Sequence, residues 1–160
     1  MRIAEELGMS ARQTEEIRIA ALIHDVDKIS VPEEILTKPT RLTPAELELI
    51  RRHSTAGHRI LDSANLNSSI TNTVDQYHER CDGSGYPQGL TSDQLLTSAK
   101  ILMVADVVEA MVSERPHRPG LGIDAALDEL SSGAGRVYDD AVCAACTSLF
   151  REGRFLFPSE

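Results

Sequence analysis

Apolar residues recur at helical spacing along almost the whole chain, with polar residues filling the positions between them. Met1 to Gly8 reads as the end of a helix stopped by a glycine. Ser10 with Gln13 reads as a capping box, opening a helix that carries Ile17, Ala20, Ala21 and His24. Thr43-Pro44-Ala45-Glu46 is a stronger start signal, with a cap, a proline at the first helical position and a glutamate three residues past the cap. The helix it opens carries Leu47, Ile50, Ala56, Ile60 and Leu61. Another helix is expected over about Ser68 to Glu79. The run from Cys81 to Gly89 holds three glycines and a proline, which no regular element tolerates, and so predicts a loop. Helix resumes near Thr97, with Ile101, Val104, Val108 and Met111 on one face, until Pro116 and Pro119 end it. Two more helices are expected, about Asp124–Ser131 and Asp139–Glu152. No repeat or low-complexity linker intervenes, so the pattern predicts an all-α fold with residues 1–160 as a single domain.

Composition narrows the functions this fold could serve. The net charge of −9 argues against a general binder of nucleic-acid polymers or membrane surfaces, because both need a positive field. An anionic substrate would need metal ions or local Arg and Lys to reverse that field. Tryptophan is absent and aromatics are only 4%, which disfavours a stacking surface for single strands. Cys143 and Cys146 form a CxxC, but no second pair or nearby histidine completes a zinc site, so the expectation is two buried core thiols. The stretch after Met1 does not read as a signal peptide, and no apolar run nears the roughly 18 residues of a membrane span, so neither is expected. A reducing cytoplasmic compartment fits this cysteine usage. The abrupt start leads us to expect a fragment of a longer protein or a trimmed one. The apolar run Phe150, Phe155, Leu156 and Phe157 is expected to close the core, with a homodimer interface as the alternative.

Candidate chemistry concentrates on a few residues. His24 and Asp25 are consecutive at the end of the apolar helix AALIHDVDKI. A carboxylate beside an imidazole suits a site where the aspartate bridges two divalent ions and the histidine binds one of them. Lys28 shares the face of Asp25 if the helix continues, where it could stabilise developing phosphoryl charge or protonate a leaving oxygen. A His-Asp pair alone is common by chance, and a lone histidine such as His53 is more often a surface or core residue. Asp106, inside ILMVADVVEAM, says more, because an ionised carboxylate on a buried helix is costly unless paired or metal-bound. His58, five residues past His53, reads as structural. Glu79 could orient a ligand by hydrogen bonding, or pair with Arg80 or Arg52.

These residues fall within a longer ordered series: HDxxK at His24–Lys28, KPxxLTPxE at Lys38–Glu46, RRHxxxG at Arg51–Gly57, HERxDGSGYPxGL at His78–Leu90, ADVVEA at Ala105–Ala110 and RPxRP at Arg115–Pro119. Over most of its length the chain resembles the HD-GYP family. The resemblance implies an HD-type helical bundle with a glycine-rich GYP loop. It implies a metal-dependent phosphodiesterase that hydrolyses cyclic di-GMP, a bacterial second messenger, to linear pGpG or GMP. It also implies divalent transition metals as cofactors, two or three ions, commonly iron or manganese, with two expected. His24, Asp25, His53, His78 and Asp106 would be ligands, with Asp25 bridging, and Asp25 and Lys28 would be catalytic. Lys28, Tyr86, Arg115 and Arg118 would meet the substrate, and Glu79 and Asp82 would support the ligands. An arginine fork suits phosphate oxygens and guanine edges. A GGDEF-type cyclase domain or a receiver or sensor domain would be the partner.

Four departures from the family pattern stand out. The family's upstream metal-binding His and Glu have no counterpart here. Tyr77 replaces the first of two consecutive histidines, Asp27 replaces the glycine of HDxGK, and His117 takes the aromatic place in RPYRP. They motivate a second reading, a degenerate module that binds nucleotide or a partner without turnover. A third, another HD-type nucleotide phosphohydrolase, sits less well with the GSGYP loop.

Overall fold

The computed structural model describes residues 1–26, 31–36, 38, 40, 43–46, 48–50, 61, 66–114 and 119–157. Asp27, Lys28, Arg52, His53, His58, Arg115, His117 and Arg118 lie outside them. Among the described residues the chain runs through α1 (Arg2–Glu6), α2 (Ala11–Ile23), α3 (Glu33–Leu36), α4 (Ser68–Gln76), α5 (Thr97–Val112), α6 (Ile123–Gly133) and α7 (Asp140–Arg151), and no strand occurs. The all-α expectation holds.

Local chemistry sets most boundaries. Gly8, at φ +70°, takes the left-handed conformation that stops α1, as a glycine-terminated helix requires. Ser10 and Gln13 form the capping box of α2, each satisfying the other's backbone N–H. Thr43 and Glu46 repeat the device, and residues 44–46 and 48–50 are helical after it. The Lys38 ammonium reaches the same glutamate at 2.8 and 2.7 Å. That bond, with those from Thr43, pulls the Glu46 carboxyl down to about 2.

α5 is the axle of the bundle and packs on α1, α2, α4, α6 and α7. Ala99, Ile101, Leu102, Met103, Val104 and Val108 are all buried, so the helix is apolar around most of its circumference rather than on one face. Leu102 joins Ala20, Leu61, Ile70, Val74 and Tyr77 in one cluster, while Ile101, Val104 and Val108 join the larger core with α1, α6 and α7. Cys143 and Cys146 are buried free thiols in that core, pushed by burial up to about 12 and about 11, far from reactive thiolates. Phe150, Phe155 and Phe157 pack on it too, whereas Leu156 is exposed. Arg154 pairs with Glu6, tying the C-terminal segment to α1.

Asp139 caps α7, accepting from Ala141 N and Val142 N and facing Lys100 Nζ at 3.0 Å. Burial opposes its charge, but Lys100 and the amides outweigh that and hold its carboxyl below the usual range. Asp139→Ala is expected to lower stability by about 1–2 kcal/mol near neutral pH. A depressed carboxyl stabilises fully above its unfolded value of about 3.9 and loses that contribution as pH falls through the folded value. The gap between wild type and variant in urea melts should therefore be full at pH 7 and close in stronger acid. An equal gap at both pH values would contradict this assignment.

Candidate metal centre

α2 ends at Ile23, and His24 and Asp25 form the turn beyond it. His24 Nδ1 donates to the Ala21 carbonyl at 2.7 Å, which turns Nε2 outward. Nε2 lies 3.2 Å from Asp25 Oδ1 and 3.7 Å from Asp106 Oδ1 of α5. Two carboxylates from different elements thus converge on one ring nitrogen. Burial works against an imidazolium here, but Asp106, the Ala21 carbonyl and Asp25 outweigh it and raise the His24 pKa above its ordinary value. Surroundings that favour a proton on Nε2 also favour another cation there, and an imidazole fixed through its far nitrogen is how metal-binding histidines are held. Imidazole and carboxylate donors suit the mid-row divalent ions. His24, Asp25 and Asp106 therefore have the donor chemistry for a metal ion, although among the described residues no three or more His, Cys, Asp or Glu side chains are grouped so as to hold one.

His78 approaches from the segment after α4. That helix ends at Gln76, earlier than expected, and Tyr77 is its C-cap. The buried Tyr77 hydroxyl donates to the His24 carbonyl at 3.3 Å. The His78 ring lies between Tyr77, 3.9 Å away, and Tyr86, stacked at 4.7 Å and 23°. His78, Asp106, Arg80, Ser84 and Tyr86 border a polar cleft of about 230 Å³. His78 and Asp106 share that cleft, and Asp106 also faces His24, so the described candidate ligands occupy one side of the bundle.

The GYP loop is built from its own sequence. Glu79 is fully buried, and its carboxylate accepts from Gln88 N at 2.7 Å and Leu90 N at 3.0 Å. The expectation for Glu79 is a ligand-orienting hydrogen bond or a pair with Arg80 or Arg52, and Arg52 lies outside the described residues; the bonds seen here clamp the loop. A signal was present: a glycine-rich run leaves backbone N–H groups that something must accept, and Glu79 is the nearest multiple acceptor. Asp82 accepts from Ser84 N and Oγ and faces Arg136 at 3.6 Å, so it too shapes the loop. Gly85 packs directly on the backbone of Glu79 and Arg80. The Arg80 guanidinium sits 5.2 Å over the Tyr138 ring. Tyr77 and Gly85 carry no local signal of their structural roles, because their partners are distant in sequence or become neighbours only when the loop closes.

No helix among the described residues is long and apolar enough to cross a membrane. Comparison with known families matches residues 1–142 to the HD domain family. The chain is 43% identical over 156 residues to a cyclic di-GMP phosphodiesterase of Thermotoga maritima, covering 94% of this chain and 42% of that protein. It is 39% identical over 139 residues to the cyclic di-GMP phosphodiesterase response regulator RpfG of Xanthomonas campestris pv. campestris, covering 86% of this chain and 37% of that protein. The chain therefore spans well under half the length of these relatives. Among solved structures, an HDG"Y"P protein from Bdellovibrio bacteriovorus superposes with a TM-score of 0.76 at 18% identity, over 94% of this chain and 48% of that one. That likeness shows a shared fold, and the sequence match supplies the kinship. The chain belongs to the HD domain family, in its HD-GYP form.

Proposed function

We propose that residues 1–160 form a single metal-dependent phosphodiesterase domain that hydrolyses cyclic di-GMP to pGpG or GMP in cytoplasmic signalling. The observation that carries this reading is the convergence of the Asp25 and Asp106 carboxylates on His24 Nε2, beside the cleft that holds His78. The names of the relatives supply the substrate class. His24, Asp25, His78 and Asp106, with His53, would hold iron or manganese, two ions in all. Bound there, the metal would supply an activated water and neutralise phosphate charge. The chain's own residues do the rest. Asp25 would help hold the metal, Tyr86 walls the cleft, Lys28 would meet the scissile phosphate, and Arg115 and Arg118 would hold the outer phosphate or guanine. Asp82 and Glu79 keep the loop in place around His78. A cyclase, receiver or sensor domain is the proposed partner of the signalling role.

The test is turnover by the purified chain, reconstituted without oxygen with Mn(II) or Fe(II) and offered cyclic di-GMP, a mixed guanine–adenine cyclic dinucleotide and mononucleotides. Hydrolysis of cyclic dinucleotides that chelator abolishes is the expected result. Activity on mononucleotides alone would move the function to another HD-type phosphohydrolase. Binding without turnover would favour the degenerate module that the Tyr77 and Asp27 departures suggest.

A further inference from the structure

We infer that Tyr77 is a positioning residue for the metal centre, holding His24 and His78 in one arrangement. The inference rests on the proposed reading of those histidines as ligands. Tyr77 is buried, with 3% of its surface exposed. It touches both histidines, although His24 lies 53 residues away in sequence. Its ring meets His24 edge-on at 5.2 Å and 89°, the favoured geometry for aromatic pairs. The same ring packs on His78 at 3.9 Å, and Tyr86 covers the opposite side of His78.

The hydroxyl adds what packing alone cannot. His24 is the C-cap of α2, where backbone carbonyls lack intrahelical partners. Tyr77 donates to the His24 carbonyl and so secures the peptide from which the His24 ring and Asp25 diverge. The Ala21 bond then sets the rotation of the ring. Tyr77 therefore controls the spacing between one imidazole on α2 and another on the segment after α4. Metal affinity depends on such outer contacts, and losing one typically costs about 10–100-fold.

The experiment is calorimetric titration of the metal-free chain with Mn(II), beside melting curves. The variants are Tyr77→Leu, Tyr77→Phe and, as a core control, Leu130→Ala. Leu130 is fully buried in the larger core cluster, outside the one that holds Tyr77. Tyr77→Leu is expected to weaken Mn(II) binding by about 10–100-fold, with Tyr77→Phe falling between it and wild type. Leu130→Ala should lower the melting temperature without changing Mn(II) affinity. Should Tyr77→Leu not fold, Tyr77→Phe decides, since it keeps the ring and removes only the hydroxyl. Wild-type affinity in a folded Tyr77→Leu overturns the inference, as does wild-type affinity in Tyr77→Phe when it alone folds. An equal affinity loss in Leu130→Ala overturns it too, by showing that general loosening suffices. A wild-type chain that takes up no Mn(II) overturns the proposed function, and this inference with it. Intact wild-type uptake with an indifferent Tyr77 overturns the inference alone.

Discussion

Asp106→Asn is expected to reduce hydrolysis of cyclic di-GMP by more than the roughly 10–100-fold that loss of an outer partner costs a metal site. The substitution keeps the size and shape of the side chain and removes its charge. Asp106 stands midway along α5, flanked by buried Val104 and Val108, with its carboxylate 3.7 Å from His24 Nε2. Its side chain is 32% exposed, opening toward the cleft that His78 also borders. An apolar helix that keeps a carboxylate here bears a desolvation cost that a cation at the site would offset. Asparagine removes both the cost and the offset, so the metal-free variant should melt at or above the wild-type temperature while its Mn(II) affinity falls. Assay and melting curve together separate a lost ligand from a lost fold. Undiminished turnover by Asp106→Asn would show that this carboxylate is not part of the centre.

Gly85→Ala is expected to disable the site through the loop. A Cβ at Gly85 would fall within the backbone of Glu79 and Arg80, which has no flexible end to move aside. The loop would have to lift. Lifting takes Tyr86 off His78 and draws Gln88 N and Leu90 N away from the buried Glu79 carboxylate. Hydrogen bonds to a charged group are worth about 1.5–3 kcal/mol each, so denaturant unfolding should show a loss of about 3 kcal/mol or more. Turnover should fall with it, because His78 loses the ring that covers it. Glu79→Ala breaks the same clamp from the other side, so the double variant should be less damaging than the sum of the two. Additive losses would mean that Gly85 and Glu79 act separately, and an unaffected Gly85→Ala would place the loop elsewhere.

The helices were largely legible because their signals are local. Ser10 with Gln13, Thr43 with Glu46 and Gly8 act within one turn of the chain, and each appears where the pattern put it. The exceptions have non-local causes. α4 stops at Gln76 rather than near Glu79, because Tyr77 turns its hydroxyl to the His24 carbonyl and Glu79 turns inward to the loop. α5 is buried nearly all round rather than on one face, because neighbours from distant parts of the chain surround it.

The sequence by itself determined the all-α class, the described helices other than α3, the glycine-rich loop and the family, since periodicity, caps and ordered motifs are carried by residues close in the chain. It also named His24, Asp25, His78 and Asp106 as chemically suited donors. Only the tertiary structure decided that α5 carries Asp106 to His24 Nε2, that Tyr77 joins His24 to the segment holding His78, and that Glu79 is a buried loop clamp. Those relations are made between residues far apart in the chain, or by a loop folding back on its own start. Their energies depend on burial and on the direction of a few hydrogen bonds, and neither quantity exists until the chain has packed.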